Sequence, residues 1–130
     1  MSEKAMSVKR KHKILIVDDD ENVRKALCRW FEAQGFSVDF AKDGGSAIEK
    51  CRQGAYDAVT MDYSMPQMDG REAALAIRKN QPSIPIVILT GYPDTGVEEI
   101  TSGYTSVLYK PVSMRKLEEE IVRLINSCQF

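Results

Sequence analysis

The chain has 130 residues, of which 43% are hydrophobic and 28% charged, with a formal net charge of −1. That length fits one domain able to bury about two-thirds of its unfolded surface. The charge gives no global basic field to draw nucleic acid. No apolar stretch approaches the roughly 20 residues of a membrane-spanning helix, and no signal peptide is visible.

Residues 1–12 are polar and basic, with Lys4, Lys9, Arg10 and Lys11. They read as a flexible basic leader that leaves His12 in solvent. One folded unit is expected over residues 13–128. Ile14 to Val17 is a continuous apolar run, as a strand buried on both faces requires. Val23, Ala26, Leu27, Trp30 and Phe31 recur at i, i+3, i+4, i+7 and i+8, one helical stripe that stops at Gly35. Phe36, Val38 and Phe40 alternate with Ser37 and Asp39, the pattern of a half-exposed edge strand. Ala47, Ile48 and Cys51 mark a short helix that ends near Gly54.

A third strand is expected over residues 58–61, followed by an Ala-rich helix over 72–79 that Pro82 closes. A fourth strand is expected over 86–89. The next helix, over 94–102, has only Val97 and Ile100 as apolar anchors, which marks it as a low-stability, movable element. A fifth strand follows over 107–109. Ser113 can N-cap a last helix with Leu117, Ile121, Leu124, Ile125 and Cys128 on one face. The (βα)5 alternation, with right-handed crossovers, implies an α/β fold built on a doubly wound, five-stranded parallel sheet.

Four strands end in polar groups: Asp18-Asp19-Asp20, Asp62, Thr90 and Lys110. In a parallel sheet the carboxyl ends of strands line one edge, where ligands bind, so these residues would meet. Adjacent aspartates repel one another and need a cation. Oxygen-only ligands suit a hard ion such as Mg2+. A carboxylate kept ionised there can attack a phosphoryl group. Such a transfer needs charges and donors in fixed positions. Lys110 supplies a charge, Thr90 a hydroxyl, and Gly91 lets the backbone approach closely. Each element alone is a weak signal, but their order, each after a strand, is specific. His12 is the only histidine, which disfavours a histidine-based site. Cys28, Cys51 and Cys128 form no CxxC and read as free thiols in a reducing cytoplasm.

The segments Ile-Leu-Ile-Val-Asp-Asp-Asp at 14–20, Met-Asp-Tyr-Ser-Met-Pro-Gln-Met-Asp-Gly at 61–70, Ile-Leu-Thr-Gly at 88–91 and Lys-Pro at 110–111 resemble the response-regulator receiver domain of two-component signalling. The resemblance runs from about residue 13 to 126. It implies the CheY-like, flavodoxin-like sheet order 2-1-3-4-5. It implies that Asp62 accepts a phosphoryl group from a sensor histidine kinase or a histidine phosphotransfer protein. Mg2+ would be bound by Asp18, Asp19, Asp62 and the backbone carbonyl of Ser64. Thr90 would hydrogen-bond a phosphoryl oxygen, Lys110 would pair with the phosphoryl group, and the Lys110-Pro111 bond would be cis. Asp20 would cap the first helix. Met65-Pro66 and Gly70 would shape the loop after Asp62. The domain would be a signalling module, not an enzyme, although it assists its own phosphotransfer and dephosphorylation. Its output would be a downstream protein or a fused output domain. A homodimer through the fourth helix, fifth strand and last helix is a family tendency.

The sequence departs from the family at Val107, where a Tyr or Phe usually stands. Coupling of Thr90 to an inward-swinging ring is therefore not expected, and the output would run through the fourth helix or the loop after Thr90. Tyr109 should point to the other face of its strand. In the family the positions of Ser64 and Tyr92 flank the water route to the acyl phosphate, so the resemblance implies that Tyr92 would shield it. Two alternatives compete. A HAD-type phosphohydrolase would use Asp18-Asp19-Asp20 as its Asp-x-Asp but leave Asp62 without a role. A degenerate receiver would serve only for docking. A P-loop nucleotide binder is excluded by the missing GxxxxGK[ST]. The chain reads either as a stand-alone regulator or as a receiver cut from a longer protein.

Overall fold

Ile14, Leu15, Ile16 and Val17 are at most 1% exposed, as a strand covered on both faces must be. They belong to β1 (Lys13–Val17), the second strand of a five-stranded parallel sheet in the order β2-β1-β3-β4-β5. The computed structural model describes residues 12–93, 96–100 and 104–127. The other strands are β2 (Ser37–Ala41), β3 (Ala58–Asp62), β4 (Ile86–Thr90) and β5 (Thr105–Tyr109). They are joined by α1 (Glu21–Ala33), α2 (Gly44–Gln53), α3 (Gly70–Asn80) and a 3-10 turn (Val97–Ile100), and α4 (Met114–Ser127) follows β5. The strand order reverses between β1 and β3, so a crevice opens at their carboxyl ends.

Side chains alternate across each strand, and this divides the core in two. Leu15, Val17, Val59, Met61, Ile86 and Ile88 pack beneath α2 and α3, with Ala47, Cys51, Ala73 and Ile77. Ile14, Ile16, Ala58, Val87 and Leu89 pack against α1 and α4, with Leu27, Phe31, Leu117, Ile121 and Leu124. Burying each large aliphatic side chain contributes roughly 1.5–3 kcal/mol.

The helix ends have local causes. Asp20 accepts from Asn22 N at 2.9 Å and Val23 N at 3.2 Å, as the sequence implies. Asp43, Asp69 and Ser113 cap α2, α3 and α4 in the same way. Gly35 ends α1 with φ of 101°. Beyond it, Phe36 N reaches back to Phe31 O at 3.1 Å, a left-handed closure that glycine adopts without strain.

Several expectations need correction. Val23 is exposed instead of sharing the buried stripe of Leu27 and Phe31. Phe40 also turns outward, with the Arg24 and Lys50 cations over its ring. The fourth crossover, where described, is one 3-10 turn and not a full helix, though Val97 and Ile100 do anchor it. His12 is half-buried, and its carbonyl accepts from Ser37 N at 3.2 Å, so it belongs to the folded part. Cys28 and Cys51 are free thiols. Residues 1–11 and Cys128 lie outside the described residues. Among those described, no helix is long and apolar enough to cross a membrane.

Candidate functional site

Asp18 is the residue after β1, and Asp62 is the last residue of β3. They are 3% and 5% exposed, so both carboxyls enter the crevice with little water around them. Asp19 adds an exposed carboxylate. One oxygen from each of the three lies within 4.8 Å of the others. Asp18 Oδ1 accepts from Asp20 N at 2.9 Å, and its carbonyl accepts from Arg24 Nη1 at 3.0 Å. These two bonds fix the turn between β1 and α1.

Lys110 Nζ donates to Asp62 Oδ1 at 2.6 Å. It reaches the site because Lys110 N donates to Thr90 O at 2.8 Å, which seats the end of β5 beside β4. The Lys110-Pro111 bond is cis. Thr90 is buried at the end of β4, where its Oγ1 accepts from Tyr92 N at 3.1 Å. Ser64 is exposed in the loop after Asp62. Gly70 starts α3 so close to β3 that a Cβ there would lie 2.6 Å from Asp62 O and 2.8 Å from Tyr63 Cα.

Three carboxylates face one ammonium. Burial pushes the Asp18 carboxyl up to about 6; the Asp20 N–H opposes this, while the Asp62 and Asp19 charges add to it. Burial, helped by the Asp19 charge, raises the Asp62 carboxyl overall, against the lowering by the Lys110 bond and charge. Burial works against the Lys110 ammonium, but the bond to Asp62 and the charges of Asp62, Asp18 and Asp19 raise its pKa overall. The site therefore holds more negative charge than it neutralises. An all-oxygen donor set with that excess fits a small divalent cation.

Asp18, Asp19, Asp62 and Lys110 are thus brought together, with Thr90 on the neighbouring strand end and engaged with the Tyr92 backbone. Val107 is half-buried against the cluster that holds Val97 and Ile100. Tyr109 and Tyr104 are exposed, and Tyr92 is 64% exposed. The reach of Arg24 to Asp18 O has no signal in the sequence. Two arginines of α3 are equally unmarked there. Arg71 donates to Gly96 O at 3.3 Å, and Arg78 donates to Pro82 O at 3.1 Å and Tyr104 O at 3.3 Å.

A 2-1-3-4-5 parallel sheet with a carboxylate cluster at its switch point defines a flavodoxin-like α/β fold with its ligand crevice at the strand ends. The sequence matches the response regulator receiver domain over residues 14–122, and the chain belongs to that family. It is 39% identical over 107 residues to the transcriptional regulatory protein ZraR of Klebsiella oxytoca, covering 81% of this chain and 24% of that protein. It is 35% identical over 107 residues to the response regulator MprA of a Mycobacterium species, covering 81% of this chain and 46% of that protein. The chain thus spans less than half the length of either relative.

Among solved structures, a CheY-like receiver domain protein from Methanospirillum hungatei superposes with a TM-score of 0.84 at 25% identity, covering 91% of this chain and 96% of that one. The response regulator TrrA from Thermotoga maritima, solved in complex with Mg(2+)-BeF, gives 0.77 at 32% identity, covering 87% and 98%. The chain is a receiver domain of the two-component type, and the CheY-like sheet order expected from sequence is the one observed.

Proposed function

We propose that Asp62 is a phosphoacceptor, charged by a phosphohistidine on a sensor histidine kinase or a histidine phosphotransfer protein in the cytoplasm. One observation carries this reading. A buried carboxylate, paired to Lys110 at 2.6 Å, shares a crevice with Asp18 and Asp19. An ionised Asp62 oxygen attacks phosphorus, and the bond to the donor breaks. Lys110 then meets the phosphoryl oxygens, and the Thr90 hydroxyl leaves the Tyr92 backbone to donate to one of them. Asp18, Asp19, Asp62 and the Ser64 carbonyl would hold Mg2+, which offsets negative charge at the phosphoryl oxygens.

The phosphoryl group adds about −1.5 to −2 charge and shifts a conformational population. Val107 provides no ring to follow Thr90, so the shift runs through the loop after Thr90 and the Val97–Ile100 turn. The output is a downstream protein or a fused domain. The test is intact-protein mass after acetyl phosphate with and without Mg2+. A single phosphoryl adduct that needs both Mg2+ and Asp62, and is lost in Asp62→Asn, is expected. A folded protein with no adduct would leave only a docking role.

A further inference from the structure

Phe40 turns away from the core, and its ring is part of a chain of contacts that ends at the carboxylate cluster. Its register partner in β1 is Ile16, whose side chain lies on the α1 and α4 side of the sheet. Partners in register share a face, so Phe40 stands on that side too, yet it is 48% exposed. The Arg24 guanidinium of α1 lies over the ring at 5.0 Å from its centroid, and Lys50 Nζ lies at 5.1 Å. The backbone under the ring is held at both polar atoms. Phe40 N donates to Asp39 Oδ1 at 2.8 Å, and Phe40 O accepts from Lys50 Nζ at 2.5 Å. The guanidinium over this fixed ring is the one that donates through Nη1 to Asp18 O at 3.0 Å.

That oxygen belongs to the peptide between Asp18 and Asp19. The groups around it have anchors of their own: Asp18 N donates to Ala41 O at 3.2 Å, Asp18 Oδ1 accepts from Asp20 N at 2.9 Å, and Asp20 caps α1. Asp19 is exposed, so packing does not aim its carboxylate into the cluster with Asp18 and Asp62; the backbone does. Turning the Asp18–Asp19 peptide would swing Asp19 Cβ, and the Arg24 bond opposes that turn. We propose that Arg24 is a positioning residue for a divalent cation, holding this peptide so that the Asp19 carboxylate stays among the ligands, with the Phe40 ring as its backstop. The inference rests on Asp18, Asp19 and Asp62 being the Mg2+ ligands. Two effects of Arg24 oppose each other. Its charge repels a second cation, but at a half-exposed position solvent and salt screen that repulsion. Its bond fixes the backbone of two ligands, and outer bonds of this kind are worth about 10- to 100-fold in metal affinity. Positioning outweighs repulsion, so removing Arg24 weakens Mg2+ binding, the opposite of what charge alone predicts.

The experiment titrates metal-free protein with Mg2+, and separately with Ca2+, at neutral pH and follows the amide signals of Asp19 and Tyr63. Mg2+ demands near-ideal octahedral geometry whereas Ca2+ tolerates a loose one. Lost positioning therefore falls on Mg2+ first, while a lost charge or a loosened fold acts on both ions alike. Arg24→Gln should raise the Kd for Mg2+ about tenfold and that for Ca2+ much less. Arg24→Lys keeps the charge but loses the planar fork; it should move Mg2+ the same way by a smaller factor, and it carries the test if Arg24→Gln does not fold. Phe40→Leu, at an exposed position, should raise the Kd for Mg2+ about two- to fivefold, the factor a surface cation–π contact supplies. Added to Arg24→Gln it should change little, because the two side chains act through one contact. Unchanged or tighter Mg2+ binding in Arg24→Gln, or equal losses for Mg2+ and Ca2+, would overturn the proposal. Full additivity of Phe40→Leu and Arg24→Gln would overturn the part given to the ring. Wild-type protein that binds no Mg2+ would remove the reading of the three carboxylates as its ligands, and this inference with it.

Discussion

Lys110 Nζ reaches Asp62 Oδ1 at 2.6 Å although the two residues are 48 apart in sequence and the strand between their own, β4, separates them in the sheet. The pair bridges the end of that strand, where Lys110 N also donates to Thr90 O. Removing the cation would leave three carboxylates facing one another. Lys110→Gln is therefore expected to slow phosphorylation of Asp62 strongly and to destabilise the metal-free fold. Breaking a fully buried pair costs about 3–5 kcal/mol. Lys110 is partly exposed, so about 1–2 kcal/mol is expected here after solvent screening. Urea denaturation at neutral pH checks the stability and acetyl phosphate labelling the rate.

Asp18 sets a pH dependence. Its carboxyl lies near 6 in the fold against an ordinary 3.8. A raised pKa means the contribution to stability is complete below the unfolded value and is lost as pH rises through about 6. Metal-free protein should accordingly lose stability from this group between about pH 4 and 7, by roughly 2–3 kcal/mol. Asp18→Asn should flatten that slope and raise Tm at pH 7. Mg2+ should raise the wild-type Tm at pH 7 and do little at pH 5. A flat metal-free Tm profile, matched by Asp18→Asn, would contradict the assignment.

Strand ends are the most legible part of this chain, because each apolar run stops abruptly at a polar group. That pattern, with the sheet rule, is enough to place Asp18, Asp62, Thr90 and Lys110 at one edge. β5 is harder to read. It is an edge strand, and Ser106 donates to Glu120 of α4, so polar residues dilute its apolar run and hide its start at Thr105. The Val97–Ile100 turn looks like a longer helix in sequence because anchors at i and i+3 fit a 3-10 turn equally well. Val23 fits the helical stripe but sits where α4 leaves a groove, a feature of packing that periodicity does not encode. The contacts of Arg24, Arg71 and Arg78 depend on long side chains reaching backbone carbonyls and carry no spacing signature.

Gly70 ties the start of α3 to Asp62. A Cβ there would meet Asp62 O at 2.6 Å and Tyr63 Cα at 2.8 Å, and these backbone atoms have little room to yield. Gly70→Ala should displace the loop between β3 and α3, at a cost of about 1–3 kcal/mol, and slow labelling of Asp62. Wild-type stability together with a wild-type rate would show that the loop relaxes freely.

Tyr92 tests what limits the lifetime of the phosphorylated form. Its backbone holds the Thr90 hydroxyl while its ring stands 64% exposed at the rim. Tyr92→Ala leaves the backbone bond in place but opens the water route, so the half-life of the phosphorylated form should shorten several-fold. A half-life that barely moves would remove the ring from any shielding role.

The most direct measurement is where the phosphoryl group sits. Protein labelled with acetyl phosphate and Mg2+ is reduced with borohydride, which converts an aspartyl phosphate to homoserine, and its peptides are mapped by mass. Homoserine at Asp62 alone is the predicted result. Conversion at Asp18 in place of Asp62, or none in folded and labelled protein, would contradict the account.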